Sequence, residues 1–274
     1  MSNKKKSTQN KPNEMTFWEH LDELRSVLIR SIIAIGIFSV IAFFFKEFIY
    51  DTVILGPRKS DFFTNSLLCS LGDILNSSIL CINQKSFEII NIEMAGQFRS
   101  HLIISFVTGI VFAFPYFLFE LWKFIKPAFH ENESKSLKGF VFYTSFLFAI
   151  GILFGYYIIN PLAINFLISY EISPEVVNQI KLGSYISNVL MICLSTGLVF
   201  ELPLLIYFLT KMGMITPQIL KKYRKHSAIL FFILSAIITP PDIFSQFLVA
   251  MPLFLLYEIS ISISKRVTKK QFFS

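Results

Sequence analysis

The 274 residues are 54% apolar, with a mean hydropathy of +0.60. A soluble domain of this length would not hold so many long uncharged runs, so the sequence points to a polytopic membrane protein whose apolar surface faces lipid. The net charge of +7 is gathered at the ends of those runs, which is the pattern of the positive-inside rule and not of nucleic-acid binding.

Met1–Met15 reads as a disordered polar tail carrying Lys4, Lys5, Lys6 and Lys11, with no apolar stretch that would form a cleavable leader. Thr16 and Glu19 then make a capping box, so a helix is expected to begin here, before the membrane. Phe17, Leu21, Leu24 and Leu28 share one face at helical spacing, and Glu19, Asp22 and Glu23 share another. This acidic helix is either a solvated lead-in turn or a surface aimed at a cation; spacing alone leaves both open. Residues 16–266 read as one all-α membrane domain, followed by a tail over 267–274. Six spans are expected, at about 24–45, 99–120, 139–160, 184–210, 227–239 and 243–264. Arg30 lies one turn inside the first span and is expected to snorkel to the headgroups.

The long segment between the first two spans, 46–100, mixes short apolar pieces with Gly56-Pro57 and reads as a folded extramembrane cap. Pro115 falls inside the second span, where it frees a backbone carbonyl. Residues 139–170 carry no charge, too long a run for one flat span, so Asn160-Pro161 is expected to end the third helix. Glu201 and Pro203 interrupt the fourth span. The fifth is only about 20 Å long at ~1.5 Å per residue, short of a ~30 Å core. Pro240-Pro241-Asp242 forces the turn to the sixth, with Asp242 as a plausible N-cap and Gln246 a turn later. Six spans place both termini on one side. That side holds nineteen of the 25 Lys and Arg, so both termini are expected in the cytoplasm.

An ionised carboxylate at the depth of Glu201 is costly, and such residues usually face a bundle interior or a water-filled cavity. Glu201 is either a functional carboxylate or a neutral group bonding a neighbouring helix. Glu258, two turns inside the last span, is better explained by snorkelling or an interhelical bond. Glu23 and Glu133 both fall at the cytoplasmic interface and together can take two guanidinium groups. Trp122 and Phe124 in the second loop have the character of interfacial aromatics. Cys69 and Cys81 share the exported cap, where an oxidising compartment favours a disulfide. Cys193 reads as a small apolar residue of a span. The four histidines are scattered, and no metal-ligand spacing, cofactor motif or nucleophile–base set points to an enzyme.

Four motifs in order resemble the TatC family, the multispanning core of the twin-arginine protein translocase: HLDELR at His20–Arg25, LWKFIKPAFHENE at Leu121–Glu133, FELP at Phe200–Pro203, and TPPDIFSQ at Thr239–Gln246 followed by MPLFLLYEI at Met251–Ile259. The resemblance covers about residues 15–266. It implies a cupped six-helix bundle with short fifth and sixth helices. It also implies a receptor in the bacterial inner membrane for the twin-arginine signal peptides of folded proteins. Glu23, Arg25, Phe124, Pro127 and Glu133 fall at that family's signal-binding positions. Glu201 and Pro203 fall where single-span partner subunits of the TatA/TatB type dock, and Pro57, Asp242 and Gln246 belong to its exported face. An oligomer energised by the proton-motive force, with no cofactor, is implied as well. The sequence departs from the family in placing Glu120 where many members have a neutral amide, in following Glu133 with a single basic residue, and in a long first exported loop. Competing readings are a proton-coupled small-solute transporter, which should show repeated halves, and a membrane enzyme, which should show a reactive set within a span. Neither pattern is visible.

Overall fold

An unbroken run of helix-compatible apolar residues needs no partner strand to satisfy its backbone, so in lipid the chain folds as helices. The computed structural model describes residues 17–75, 81–82, 87–125, 139–171, 173, 175, 178–239 and 243–272. Helix α1 is Phe17–Phe44, α2 is Phe63–Ile74 and α3 is Gly96–Ile125. Helix α4 (Phe140–Phe154) runs through a π turn at Gly155–Ile159 into α5 (Asn160–Ser169). Helix α6 is Leu182–Val199, α7 is Leu202–Lys211 and α8 is Pro217–Lys222. Two last helices follow, α9 (Arg224–Ile238) and α10 (Ile243–Phe272).

Among the described residues, five segments are long and apolar enough to cross a membrane: Trp18–Phe44, Gly96–Ile125, Phe140–Ser169, Leu182–Lys211 and Gln246–Lys269. Helix α9 has 15 residues, about 22 Å at the usual rise. It runs antiparallel to α10, with Arg224 against Glu258 near one end and Phe232 against Phe247 near the other. A short fifth helix was expected and is present. The short sixth is corrected: α10 spans 30 residues, because no breaker follows Pro252 and the Lys265–Lys270 stretch continues the helix beyond the apolar run.

A second correction concerns Asn160-Pro161, which does not end the third span. Pro161 cannot donate to the Tyr157 carbonyl four residues before it. The π turn sits just there, and that carbonyl accepts the Thr64 hydroxyl of α2 instead. The helix therefore passes the proline with its freed group satisfied. Pro203, by contrast, begins a new helix: α6 stops at Val199, Phe200 and Glu201 form a turn, and α7 starts with the proline in its first turn.

The interior is built where small residues let backbones meet. A Cβ on Gly151 of α4 would lie 2.7 Å from the Thr196 carbonyl and 2.8 Å from Gly197 Cα of α6, so these helices touch backbone to backbone. Beside them, Ile159, Ile192, Ile206, Phe231, Val249, Leu253, Tyr257 and Ile261 form one core joining α6–α7 to α9–α10. A second core, around Ile54, Ile104, Tyr185 and Val189, ties the extramembrane cap to α3 and α6. One feature that spacing did not suggest links the cap to the start of α6, a two-residue parallel pairing of Ile89–Ile90 (β1) with Ile180–Lys181 (β2).

Candidate functional site

Helix α1 leans chiefly on α3, and the two run antiparallel through a series of paired contacts. His20 stacks on Phe124, centroids 4.2 Å apart. Further along, Arg30 Nη1 donates to Glu120 Oε2 at 3.2 Å. Gly109 meets Ser39 so closely that a Cβ would lie 2.7 Å from the Ser39 nitrogen. At the other end, His101 stacks on Phe43 at 4.0 Å and its Nε2 lies 3.0 Å from the Phe43 carbonyl. The expectation that Arg30 snorkels to the headgroups is thereby corrected. A buried carboxylate across the interface is within its reach, and pairing there satisfies both charges.

The rim at the start of α1 and end of α3 is therefore fixed. Glu23 is one turn below His20 on the same side of α1. Its Oε2 is buried and has no hydrogen-bond partner among the described residues. Arg25 is exposed on the same turn region. Phe124 is half-buried by His20 and is not a free interfacial ring. Trp122 faces the opposite way, against Phe140 of α4 (4.8 Å) and Phe208 of α7 (5.9 Å), and so joins three helices. Pro127, Glu133 and Thr16 lie outside the described residues, as does Asp242.

A second carboxylate sits at the helix break. Glu201 occupies the turn between α6 and α7, and its Oε1 is also buried without a hydrogen-bond partner among the described residues. Pro203, directly after it, is buried. Glu258 differs: Arg224 Nη2 donates to its Oε2 at 2.5 Å, the interhelical bond expected for it.

On the far side of the bundle, Gly56 and Pro57 are buried in a tight turn. Asn65 of α2, fully enclosed, donates to the carbonyls of Lys59 (2.7 Å) and Pro57 (3.2 Å). The hydroxyls of Tyr156 and Tyr185 donate to the carbonyls of Val53 (2.8 Å) and Ile54 (2.9 Å). Cys69 and Cys81 are joined in a disulfide that ties α2 to the chain leading to β1. Gln246 Nε2 donates to the Phe232 carbonyl at 2.9 Å and holds α10 to α9. Sequence reasoning missed the role of Glu120, 5% exposed, whose Oε1 also accepts the Tyr116 hydroxyl at 3.2 Å. Its only signal was a charge where an amide is usual.

Long apolar helices that keep buried carboxylates at one rim and at one helix break define a multi-pass membrane protein. The chain belongs to the TatC family: the family profile described as Sec-independent protein translocase protein (TatC) matches residues 19–252. TatC of Blattabacterium is 42% identical over 265 residues, which cover 96% of this chain and all of the relative. TatC of Aquifex aeolicus is 35% identical over 261 residues, covering 94% of this chain and 98% of the relative. Two crystal structures of the twin-arginine translocase receptor TatC share the fold. One has a TM-score of 0.69 at 35% identity, covering 91% of this chain and 100% of that one; the other, in DDM, has 0.73 at 33%, covering 90% and 99%. This chain is accordingly a non-enzymatic protein-transport subunit of the Tat complex.

Proposed function

We propose that the chain binds the twin-arginine signal peptides of folded proteins at the rim formed by α1 and α3. Glu23 supplies one guanidinium contact and Glu133 a second, with Phe124, Arg25 and Pro127 shaping the surface. The observation that carries this reading is the buried, unpartnered Glu23 oxygen beside the fixed His20–Phe124 stack. A carboxylate held partly out of water binds a guanidinium fork better than a fully solvated one. The crystallised relatives are described as twin-arginine translocase receptors, which supports the same assignment.

In this reading α9 is a sixth, short crossing, both termini are cytoplasmic, and the membrane is the bacterial inner membrane. Glu201 is the intramembrane contact for single-span partner subunits, since its buried oxygen has no partner among the described residues and is open to a polar group of a docking helix. Assembly into an oligomer with those partners couples export to the proton-motive force. Pro57, Asp242 and Gln246 shape the exported face.

The test is binding of a fluorescent signal peptide to the purified protein in nanodiscs. A peptide with paired arginines is expected to bind more than tenfold tighter than its paired-lysine counterpart. Equal affinity for the two would overturn the reading. A reporter fused after Cys81 is expected to respond on the exported side only.

A further inference from the structure

We infer that the Arg30–Glu120 pair, completed by Tyr116, is a positioning device that sets α1 on α3 and so holds the two halves of the recognition rim in register. The inference rests on the reading of that rim as the signal-binding surface.

Helix α1 has α3 as its principal support, and most of its surface is lipid-facing: Ile32, Ile33, Ile37, Val40 and Phe44 are all more than half exposed. A helix so thinly held can rotate or slide unless a specific contact fixes it. Of the paired contacts along α1, the His20–Phe124 stack tolerates sliding, the Ser39–Gly109 approach sets distance and not register, and the Phe43–His101 stack with its 3.0 Å hydrogen-bond contact fixes the opposite end of the helix, far from the rim. Arg30–Glu120 is the charged pair among them. Its geometry is directional: one carboxylate oxygen takes Arg30 at 3.2 Å and the other takes Tyr116, a turn earlier on α3, also at 3.2 Å. Both acceptor positions are occupied, so the carboxylate cannot swing without losing a bond.

The pair also lies on the faces that carry the rim. Arg30 is seven residues after Glu23, two turns along the same side of α1, and Val27 between them is 3% exposed against α3. Glu120 is four residues before Phe124, one turn along the same side of α3. Register set at the pair is therefore passed through about two turns of rigid helix to Glu23 and through one turn to Phe124.

The two partners are unequal. Glu120's side chain is 6% exposed and cannot leave; Arg30's is 49% exposed and can reach the headgroups if released. Losing Arg30 strands a buried charge, whereas neutralising Glu120 does not. Losing Arg30 therefore removes the anchor and strands a charge as well, whereas losing Glu120 removes the anchor alone.

The experiment uses the full chain in nanodiscs with Cys193→Ala, and with His20→Cys and Phe124→Cys as reporters of register. Crosslinking by a short thiol-specific reagent is measured in the reporter protein and in Arg30→Ala, Glu120→Gln, Arg30→Lys and the Arg30→Ala/Glu120→Gln double variant. Peptide affinity is measured in the same set with His20 and Phe124 retained. Arg30→Ala is expected to lower the crosslinking rate and the affinity tenfold or more. Glu120→Gln leaves Arg30 only a neutral acceptor and is expected to lower both by a smaller factor than Arg30→Ala, and the double variant, which has no pair at all, is expected to stay at least threefold below the parent in both. Arg30→Lys keeps the charge and is expected to fall between. Unchanged crosslinking in Arg30→Ala, or a double variant that crosslinks like the parent, would overturn the proposal. If crosslinking follows the expected cycle while affinity ignores it, the pair sets register but the rim is not the signal-binding surface, and the functional reading fails instead.

Discussion

Glu23→Gln separates recognition from architecture. The substitution keeps the shape of the side chain and removes its charge. Among the described residues the buried Oε2 has no partner, so no internal bond is lost and the variant is expected to be at least as resistant to thermal unfolding as the parent. In the complex the opposite holds. A charge-assisted bond to a guanidinium is worth about 1.5–3 kcal/mol, and most of it disappears with the charge. At 1.4 kcal/mol per tenfold, the affinity for a paired-arginine peptide is expected to fall by roughly 10- to 150-fold. Fluorescence anisotropy with the labelled peptide reads the affinity, and unfolding followed by intrinsic tryptophan emission reads the stability. Salt gives a further check, since screening weakens the parent's binding more than the variant's. The reasoning is refuted if Glu23→Gln loses stability while affinity stays within twofold, for Glu23 is then a structural carboxylate whose partner is internal.

Glu201→Ala is expected to leave peptide affinity within twofold and to weaken crosslinking to single-span partner helices by tenfold or more; normal assembly and export in that variant would remove the docking role. Thr64→Val leaves the Tyr157 carbonyl without its hydroxyl partner at the proline, which costs about 1–3 kcal/mol and is read as a lower denaturation midpoint, with peptide binding unaffected. Replacing Cys69 and Cys81 by serine opens a link 12 residues apart and is expected to cost about 2–4 kcal/mol and to abolish the mobility difference between reduced and unreduced protein; identical mobility of the parent in both conditions would deny the bond.

Hydropathy made the long crossings legible because each must satisfy its backbone within a single apolar run, and composition reports that directly. The break at Glu201 was legible for the same reason, since a proline two residues on cannot extend the preceding helix. Asn160-Pro161 has the same local chemistry and the opposite outcome. The difference lies about 95 residues away in Thr64, whose hydroxyl takes the carbonyl that the proline leaves free. Arg30 was misread in a similar way. A cation one turn inside a span has two solutions, water or a carboxylate, and its neighbours in sequence offer no carboxylate. The carboxylate comes from Glu120, 90 residues on, and is aimed by Tyr116. The charge at 120 and the charge at 30 each look like a misplaced ion when taken alone. Together they form one neutral unit, and that unit decides where the acidic start of α1 comes to rest. Glu23 thus takes its meaning from two places: its own oxygen, partner-free among the described residues, and a distant ion pair that keeps that oxygen opposite the end of α3.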